Sequence, residues 1–189
     1  MRCHETPLAG VMVVETDIRQ DPRGGFARFY CGRELKPVLE KRNVVQINYS
    51  RSVEIGTVRG MHFQLTPYAE MKMIRCIKGK VWDVAVDLRK GSSTFLKWHA
   101  QELSKENNKM MIVPEGVAHG FQTLEAESEL LYLHTQYYEP DYEGGIRYDD
   151  PMLNISWPLK AEGLSERDLS FPRITDDFSG VELFSEIKR

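Results

Sequence analysis

The sequence lacks the features that mark a membrane protein, a nucleic-acid binder or a disulfide scaffold. No apolar run approaches the roughly 18 residues that cross a bilayer, and the opening MRCHETPLAG has no hydrophobic stretch of the signal-peptide kind. There are only three cysteines, Cys3, Cys31 and Cys76, an odd number without C-x-x-C spacing. That disfavours a disulfide framework or a zinc knuckle and suits the reducing cytoplasm. Basic charge is not in excess: 25 Lys and Arg against 28 Asp and Glu give a net charge of −3 and a pI near 6.0. The electrostatic footprint of a nucleic-acid binder is therefore missing. No repeat, low-complexity tract or linker divides the chain, and no P-loop, G-x-G-x-x-G or G-x-S-x-G motif occurs.

What is present fits one domain over residues 1–189, with 41% hydrophobic residues. From Asn43 to Thr135 the chain reads mostly as short strands, at 43–52, 57–65, 71–78, 80–88, 97–103, 109–113 and 128–137. A further strand is expected over 9–19, and Pro114 to Gly116 make a turn leading into another. Gly79 marks a tight hairpin, and Arg89 to Ser92 a second turn. DPRGGF at 21–26 reads as a polar turn. Residues 33–42 read as a short helix with Pro37 in its first turn, and 179–188 as a short helical tail. Many short strands broken by Gly, Pro and Asn predict an all-β sandwich or jelly roll with short peripheral helices. Such a barrel leaves strand edges to be covered, which favours a homodimer.

Among five histidines, two lie in distinctive company. His62 sits in TVRGMHFQ, three residues after Arg59, and His119 follows the turn in VPEGVAHGF. Regular alternation puts Arg59 and Met61 on one face and Gly60, His62 and Gln64 on the other, unless a bulge at Gly60 intervenes. H-x-Q followed by P-x-G-x-x-H resembles the two half-motifs of a metal-binding cupin barrel, where about three imidazole or carboxylate ligands converge. Here Gln64 occupies one ligand position, and Lys72, two residues from Glu70, opposes a cation. No metal is therefore expected.

Lys72 lies in EMKMIRC and Tyr132 in ELLYLHTQYY, both on expected strands. Asp83 and Asp87 in VWDVAVDLR read as structural partners of Arg75 or Arg89. Tyr137 and Tyr138 suit either stacking on a base or closing the barrel end. Arg23, Arg28, Arg59, Lys72 and Arg75 form a basic subset suited to a small anionic ligand such as a phosphate or pyrophosphate.

Taken together these segments resemble the dTDP-4-dehydrorhamnose 3,5-epimerase family. The resemblance runs from Asp21 to Asp168 through DPRGGF, the NYS at 48–50, GTVRGMHFQ, the Lys72 strand, GKVWDVAVDLRKGSSTF, LSKENN, IVPEGVAHGF, the Tyr132 strand, YYEPDYEGGIRYDDP, ISWP and LSERD. It implies a cupin-like jelly-roll homodimer that works without metal or cofactor on a nucleotide-linked 4-keto-6-deoxyhexose. By similarity His62 is the base, Asp168 its orienting partner, Lys72 the stabiliser of the enolate oxygen and Tyr132 the acid across the ring. Arg23, Arg59 and His119 match positions lining the sugar and pyrophosphate site, with Gln46 and Asn48 nearby. Tyr138 matches the aromatic that stacks on the base.

One position departs from the family pattern D-x-R-G-x-F-x-E: Arg28 stands in place of the glutamate. A guanidinium offers only donors, which suits the N3 and O2 acceptors of cytosine better than the N3–H of thymine. A mono-epimerase acting on a CDP-linked 4-keto sugar is therefore one alternative. A non-catalytic sugar-nucleotide module on the same barrel is another, and a metal-dependent cupin enzyme a third.

Overall fold

A computed structural model describes residues 1–183. The chain runs β1 (Arg2–Glu5), β2 (Met12–Glu15), β3 (Ile18–Asp21), β4 (Gly24–Ala27), α1 (Lys36–Leu39), β5 (Gln46–Ser52), β6 (Val58–Gln64), β7 (Lys72–Lys78) and β8 (Lys80–Asp87). It continues through β9 (Trp98–Ser104), β10 (Lys109–Val113), β11 (Val117–Thr123), β12 (Ser128–His134), a 3-10 turn (Pro140–Tyr142), β13 (Glu143–Gly145) and α2 (Glu166–Ser170). A six-stranded sheet in the order β1-β2-β10-β7-β12-β5 faces a five-stranded sheet in the order β13-β6-β11-β8-β9. This two-sheet jelly roll is the all-β architecture expected from the many short strands, in the cupin-like form that the family resemblance implies.

Period-two alternation divides each strand between two environments. Ile74 and Cys76 of β7, Leu130 of β12, Met111 and Val113 of β10 point between the sheets. There they meet Val81 and Ala85 of β8, Val117 and Phe121 of β11 and Leu103 of β9. The outer face of the six-stranded sheet buries Met73, Met110, Ile112 and Leu133 against Leu35 and Leu39 beside α1. The outer face of the five-stranded sheet buries Met61, Val84, Val86 and Ala118 under the C-terminal segment, through Ile146, Leu153, Ile174 and Val181. That segment therefore returns to the strand carrying His62. No helix among the described residues is long and apolar enough to cross a membrane.

Several expected elements differ. The strand expected at 9–19 divides into β2 and β3, and DPRGGF is the tip of a β3–β4 hairpin, with Ile18 opposite Ala27 and Asp21 opposite Gly24. The glycines that read as a loop form the second strand. The helix expected over 33–42 shortens to one turn, with Pro37 in its first two positions. Of the helical tail expected at 179–188, residues 184–188 lie outside the described residues. Val181 instead forms a parallel bridge to Arg89.

Asp87 is paired as expected. Its buried carboxylate accepts from Arg89 Nη2 at 2.7 Å, Ser92 Oγ at 2.5 Å and Thr94 Oγ1 at 2.6 Å, and so ties β8 to the following turn. Burial alone would raise its pKa, but these donors outweigh burial and hold it below the usual carboxylate range. Its stabilising contribution is thus complete above the ordinary Asp value of about 3.9 and lost as pH falls through the lower folded value. Asp87→Asn is expected to cost roughly 1.5–3 kcal/mol, the range for hydrogen bonds to a charged group. Urea unfolding of both proteins should show that full difference at pH 7 and a shrinking one below about pH 4.

Candidate active site

Between the open ends of the two sheets lies a cavity of about 660 Å³. Its geometry starts from an irregularity in one ladder. β11 pairs with β6 so that His119 faces His62 and Phe121 faces Arg59. Two residues of β6, Gly60 and Met61, thus oppose the single Gly120, which is a β-bulge. Strict alternation would separate Arg59 from His62, yet both line the cavity while Met61 is fully buried in the outer cluster. Arg59 therefore does not share a face with Met61, as the plain alternation has it. Only glycine fits the crossing. Gly60 has φ +125, and a Cβ there would meet Gly120 Cα at 2.5 Å and His119 O at 2.8 Å.

The bulge also anchors the carboxylate that orients His62. Asp168 Oδ2 accepts from the Gly60 N–H at 3.3 Å, and Asp168 Oδ1 lies 2.7 Å from His62 Nε2. Asp168 is carried by α2, whose N-cap Ser165 accepts the Asp168 N–H on its side chain at 3.0 Å. The S-x-x-D spacing is that of a capping box, but the acid that would close the box turns to His62 and Gly60 instead. Burial opposes ionisation of Asp168. The hydrogen bond and charge of His62, with Gly60 N–H and Arg167, outweigh it and hold the carboxyl below its usual range. An ionised Asp168 accepts a hydrogen bond from Nε2–H, which leaves the lone pair of a neutral His62 on Nδ1.

A second pair lies beside the first. Asp83, fully buried on β8, sits 2.7 Å from His119 Nε2, and not against Arg75 or Arg89 as the sequence suggests. Burial pushes the Asp83 carboxyl up, against the pull of His119. Arg75 lies on the outer face, where it donates to Thr16 Oγ1 at 2.8 Å and Asn108 O at 2.6 Å under the Phe29 ring. On the facing sheet the Tyr132 ring meets His119 edge-on at 5.9 Å and lies nearly parallel to His134 at 6.0 Å. Burial raises the Tyr132 phenol well above its ordinary value, and the Asp83 carboxylate adds to the shift. Lys72 Nζ stands 3.2 Å from Glu70 and donates to the His62 carbonyl at 3.3 Å. Among the described residues no group of three or more His, Cys, Asp or Glu side chains is arranged to hold a metal ion.

The profile described as dTDP-4-dehydrorhamnose 3,5-epimerase matches residues 5–176. The chain belongs to this family. The Sinorhizobium fredii dTDP-4-dehydrorhamnose 3,5-epimerase is 43% identical over 170 residues, covering 89% of this chain and 87% of that protein. A crystal structure of the Bacillus anthracis enzyme with TDP and PPi bound has a TM-score of 0.88 at 37% identity, covering 92% of this chain and 99% of that one. A 3'-monoepimerase from Streptomyces bikiniensis, in complex with dTDP-quinovose, has a TM-score of 0.84 at 31% identity, covering 90% and 86%.

Of the residues that the epimerase resemblance singles out, the cavity brings together His62, Asp168, Lys72, Tyr132, Arg59, His119, Asn48 and Tyr138. Gln46 stands just behind, bonded to Asn48 and to the Tyr138 N–H. Arg23 and Arg28 are not brought there within one chain. Arg23 pairs with Asp21 at the exposed hairpin tip, and Arg28 pairs with Glu34. Of the expected basic subset only Arg59 and Lys72 line the cavity. Glu143 and Arg167 are members that sequence reasoning missed. Arg167 donates to Glu143 at 3.0 Å and lies 3.2 Å from His62 Nε2, while Glu143 also accepts from the Tyr138 hydroxyl at 3.2 Å. The one local signal was the adjacency of Arg167 to Asp168.

The bulge carries a direct prediction. Gly60→Ala forces backbone atoms apart at a strained φ, so it should destabilise the fold by roughly 1–3 kcal/mol. It should also misplace His62 and Arg59 together. Thermal unfolding with TDP titration should show a lower Tm and weakened binding, whereas wild-type values for both would remove the bulge from its organising role.

Proposed function

We propose that this protein epimerises dTDP-4-dehydro-6-deoxyglucose at C3 and C5 to the dTDP-4-dehydrorhamnose configuration. The carrying observation is that the His62–Asp168 pair and Tyr132 occupy facing sheets across one cavity, with Lys72 beside Tyr132 in the six-stranded sheet. A sugar ring between the sheets meets a base on one face and a phenol on the other.

The chemistry follows from the ketone. A carbonyl at C4 acidifies the hydrogens on both neighbouring carbons. His62 takes one through its Nδ1 lone pair, and the Asp168 carboxylate stabilises the imidazolium that results. Charge then collects on O4, where the Lys72 ammonium meets it in a water-poor site. Tyr132, whose raised pKa keeps it protonated through neutral pH, delivers a proton to the opposite ring face. Arg59 and His119 hold the pyrophosphate side, and Tyr138 at the rim stacks on the base. The Arg28 guanidinium is occupied by Glu34 within one chain, and TDP-linked ligands are those bound to similar structures, which supports dTDP over CDP. The mono-epimerase among those structures favours keeping single inversion as a second reading.

We place the active protein in the cytoplasm as a homodimer. Exposed Ile47 and Tyr49 on edge strand β5, with Phe26 on the hairpin at 73% exposure, form apolar surface that a second copy would cover.

Proton NMR in deuterated water tests the roles. His62→Asn should reduce solvent exchange at C3 and C5 by roughly 10²–10⁴-fold; exchange near the wild-type rate would remove His62 as the base. Tyr132→Phe should still exchange substrate hydrogen but return it mainly to the original face. Equal loss of exchange and inversion would make Tyr132 part of proton abstraction instead.

A further inference from the structure

Buried Glu70 and His134 take no part in these steps, yet both belong to a line of hydrogen bonds that starts at Lys72. Glu70 Oε1 faces Lys72 Nζ at 3.2 Å, and its other oxygen, Oε2, lies 2.6 Å from His134 Nδ1. His134 Nε2 meets Asn48 Nδ2 at 3.4 Å, Asn48 Oδ1 accepts from Gln46 Nε2 at 3.1 Å, and Gln46 Oε1 accepts from the Tyr138 N–H at 3.2 Å. Glu70, Lys72 and His134 are each less than a tenth exposed. A line of hydrogen bonds thus runs from the ammonium at the cavity wall to the backbone of the rim tyrosine.

The polarity of this line admits one arrangement of a neutral imidazole. An ionised Glu70 only accepts, so His134 must donate from Nδ1. Nε2 then carries the lone pair and receives the Asn48 amide. Asn48 in turn presents its oxygen to Gln46, and Gln46 its oxygen to Tyr138. Moving the proton to Nε2 sets donor against donor at Asn48 and acceptor against acceptor at Glu70. Burial alone would raise the Glu70 carboxyl, but the hydrogen bond from His134 and the charge of Lys72 outweigh it, so the carboxylate stays ionised.

A lysine is a point charge on a flexible stem and has no planar fork to aim it. We propose that Glu70 and His134 are positioning residues for Lys72. The carboxylate fixes the ammonium against the cavity wall. His134, held as the Nδ1–H tautomer and packed on the Tyr132 ring, fixes the carboxylate and ties it through Asn48 and Gln46 to the Tyr138 segment. The nucleotide end and the sugar end of the cavity thereby share one hydrogen-bonded frame. This rests on the reading of Lys72 as the group that meets the enolate oxygen.

The test is a four-protein cycle with dTDP-4-dehydro-6-deoxyglucose: wild type, Glu70→Gln, Lys72→Met and the double variant. Glu70→Gln keeps the shape and an acceptor for His134 but removes the charge that holds the ammonium. It should lower kcat roughly 10- to 100-fold, the scale of a misplaced catalytic group, with KM little changed. Added to Lys72→Met, it should lower kcat no further, because residues acting as one unit are not additive. Nitrogen-15 NMR of unliganded wild type should report His134 with its proton on Nδ1. The proposal is overturned by a wild-type kcat in Glu70→Gln, by losses that add in the double variant, or by an Nε2–H His134. An unimpaired Lys72→Met would sink the enolate role of Lys72 and the proposal with it. The pair's own failure looks different: Lys72→Met is impaired while Glu70→Gln is silent or additive.

Discussion

Everything at the cavity depends on how closely two glycines let two strands approach. Gly60 and Gly120 cross where a single Cβ would stand 2.5 Å from the opposing backbone. That contact permits β6 to carry one residue more than β11 and still remain paired on both sides of the bulge. The extra residue turns Arg59 and His62 to the same side and brings the Gly60 N–H within reach of Asp168. One local irregularity thus aims a cation, aims an imidazole and supplies a donor to the carboxylate that orients it. A regular ladder would leave Arg59 on the wrong face.

Around this crossing the site is built from acid–imidazole pairs in a poorly solvated space. Asp168 with His62, Asp83 with His119 and Glu70 with His134 lie at 2.6–2.7 Å. A buried carboxylate without a partner is costly, and each of these is compensated by an imidazole. Their environments differ in a useful way. Asp168 also receives a backbone N–H and stays ionised, whereas Asp83 is fully enclosed and driven towards its neutral form. Around Tyr132, between His119 and His134, burial and the Asp83 carboxylate disfavour a phenolate and outweigh the pull of Ser50 and Arg59. The ionised Asp168 beside His62 and the protonated Tyr132 phenol thus stand on opposite walls of the cavity.

Much of this was legible in the sequence, and the rest was hidden for specific reasons. Strand positions followed from short alternating segments, and β10 from Lys109 to Val113 matched its expected bounds. Lys72 and Glu70 share a face through their spacing of two. The Arg59–His62 relation was not readable, because period two holds only while the ladder is regular and Gly60 signals a bulge without fixing its direction. Asp83 reads as a structural partner of Arg75 or Arg89, and neither holds it. Arg75, one strand away in sequence, points out of the sandwich, and the true partner, His119, lies across the β8–β11 ladder. Glu143 and Arg167 were invisible because β13 and α2 meet β6 only through long-range folding. Arg23 and Arg28 carry family positions that one chain does not bring to its own cavity.

The central claim is that inversion proceeds by removing a proton to one wall and returning another from the facing wall. The most direct measurement is the fate of solvent hydrogen during wild-type turnover of dTDP-4-dehydro-6-deoxyglucose in deuterated water, followed by NMR and mass spectrometry of the product. The account predicts a product inverted at C3 and C5 that carries solvent deuterium at both inverted carbons. An inverted product whose C3 and C5 retain the original hydrogen would contradict it.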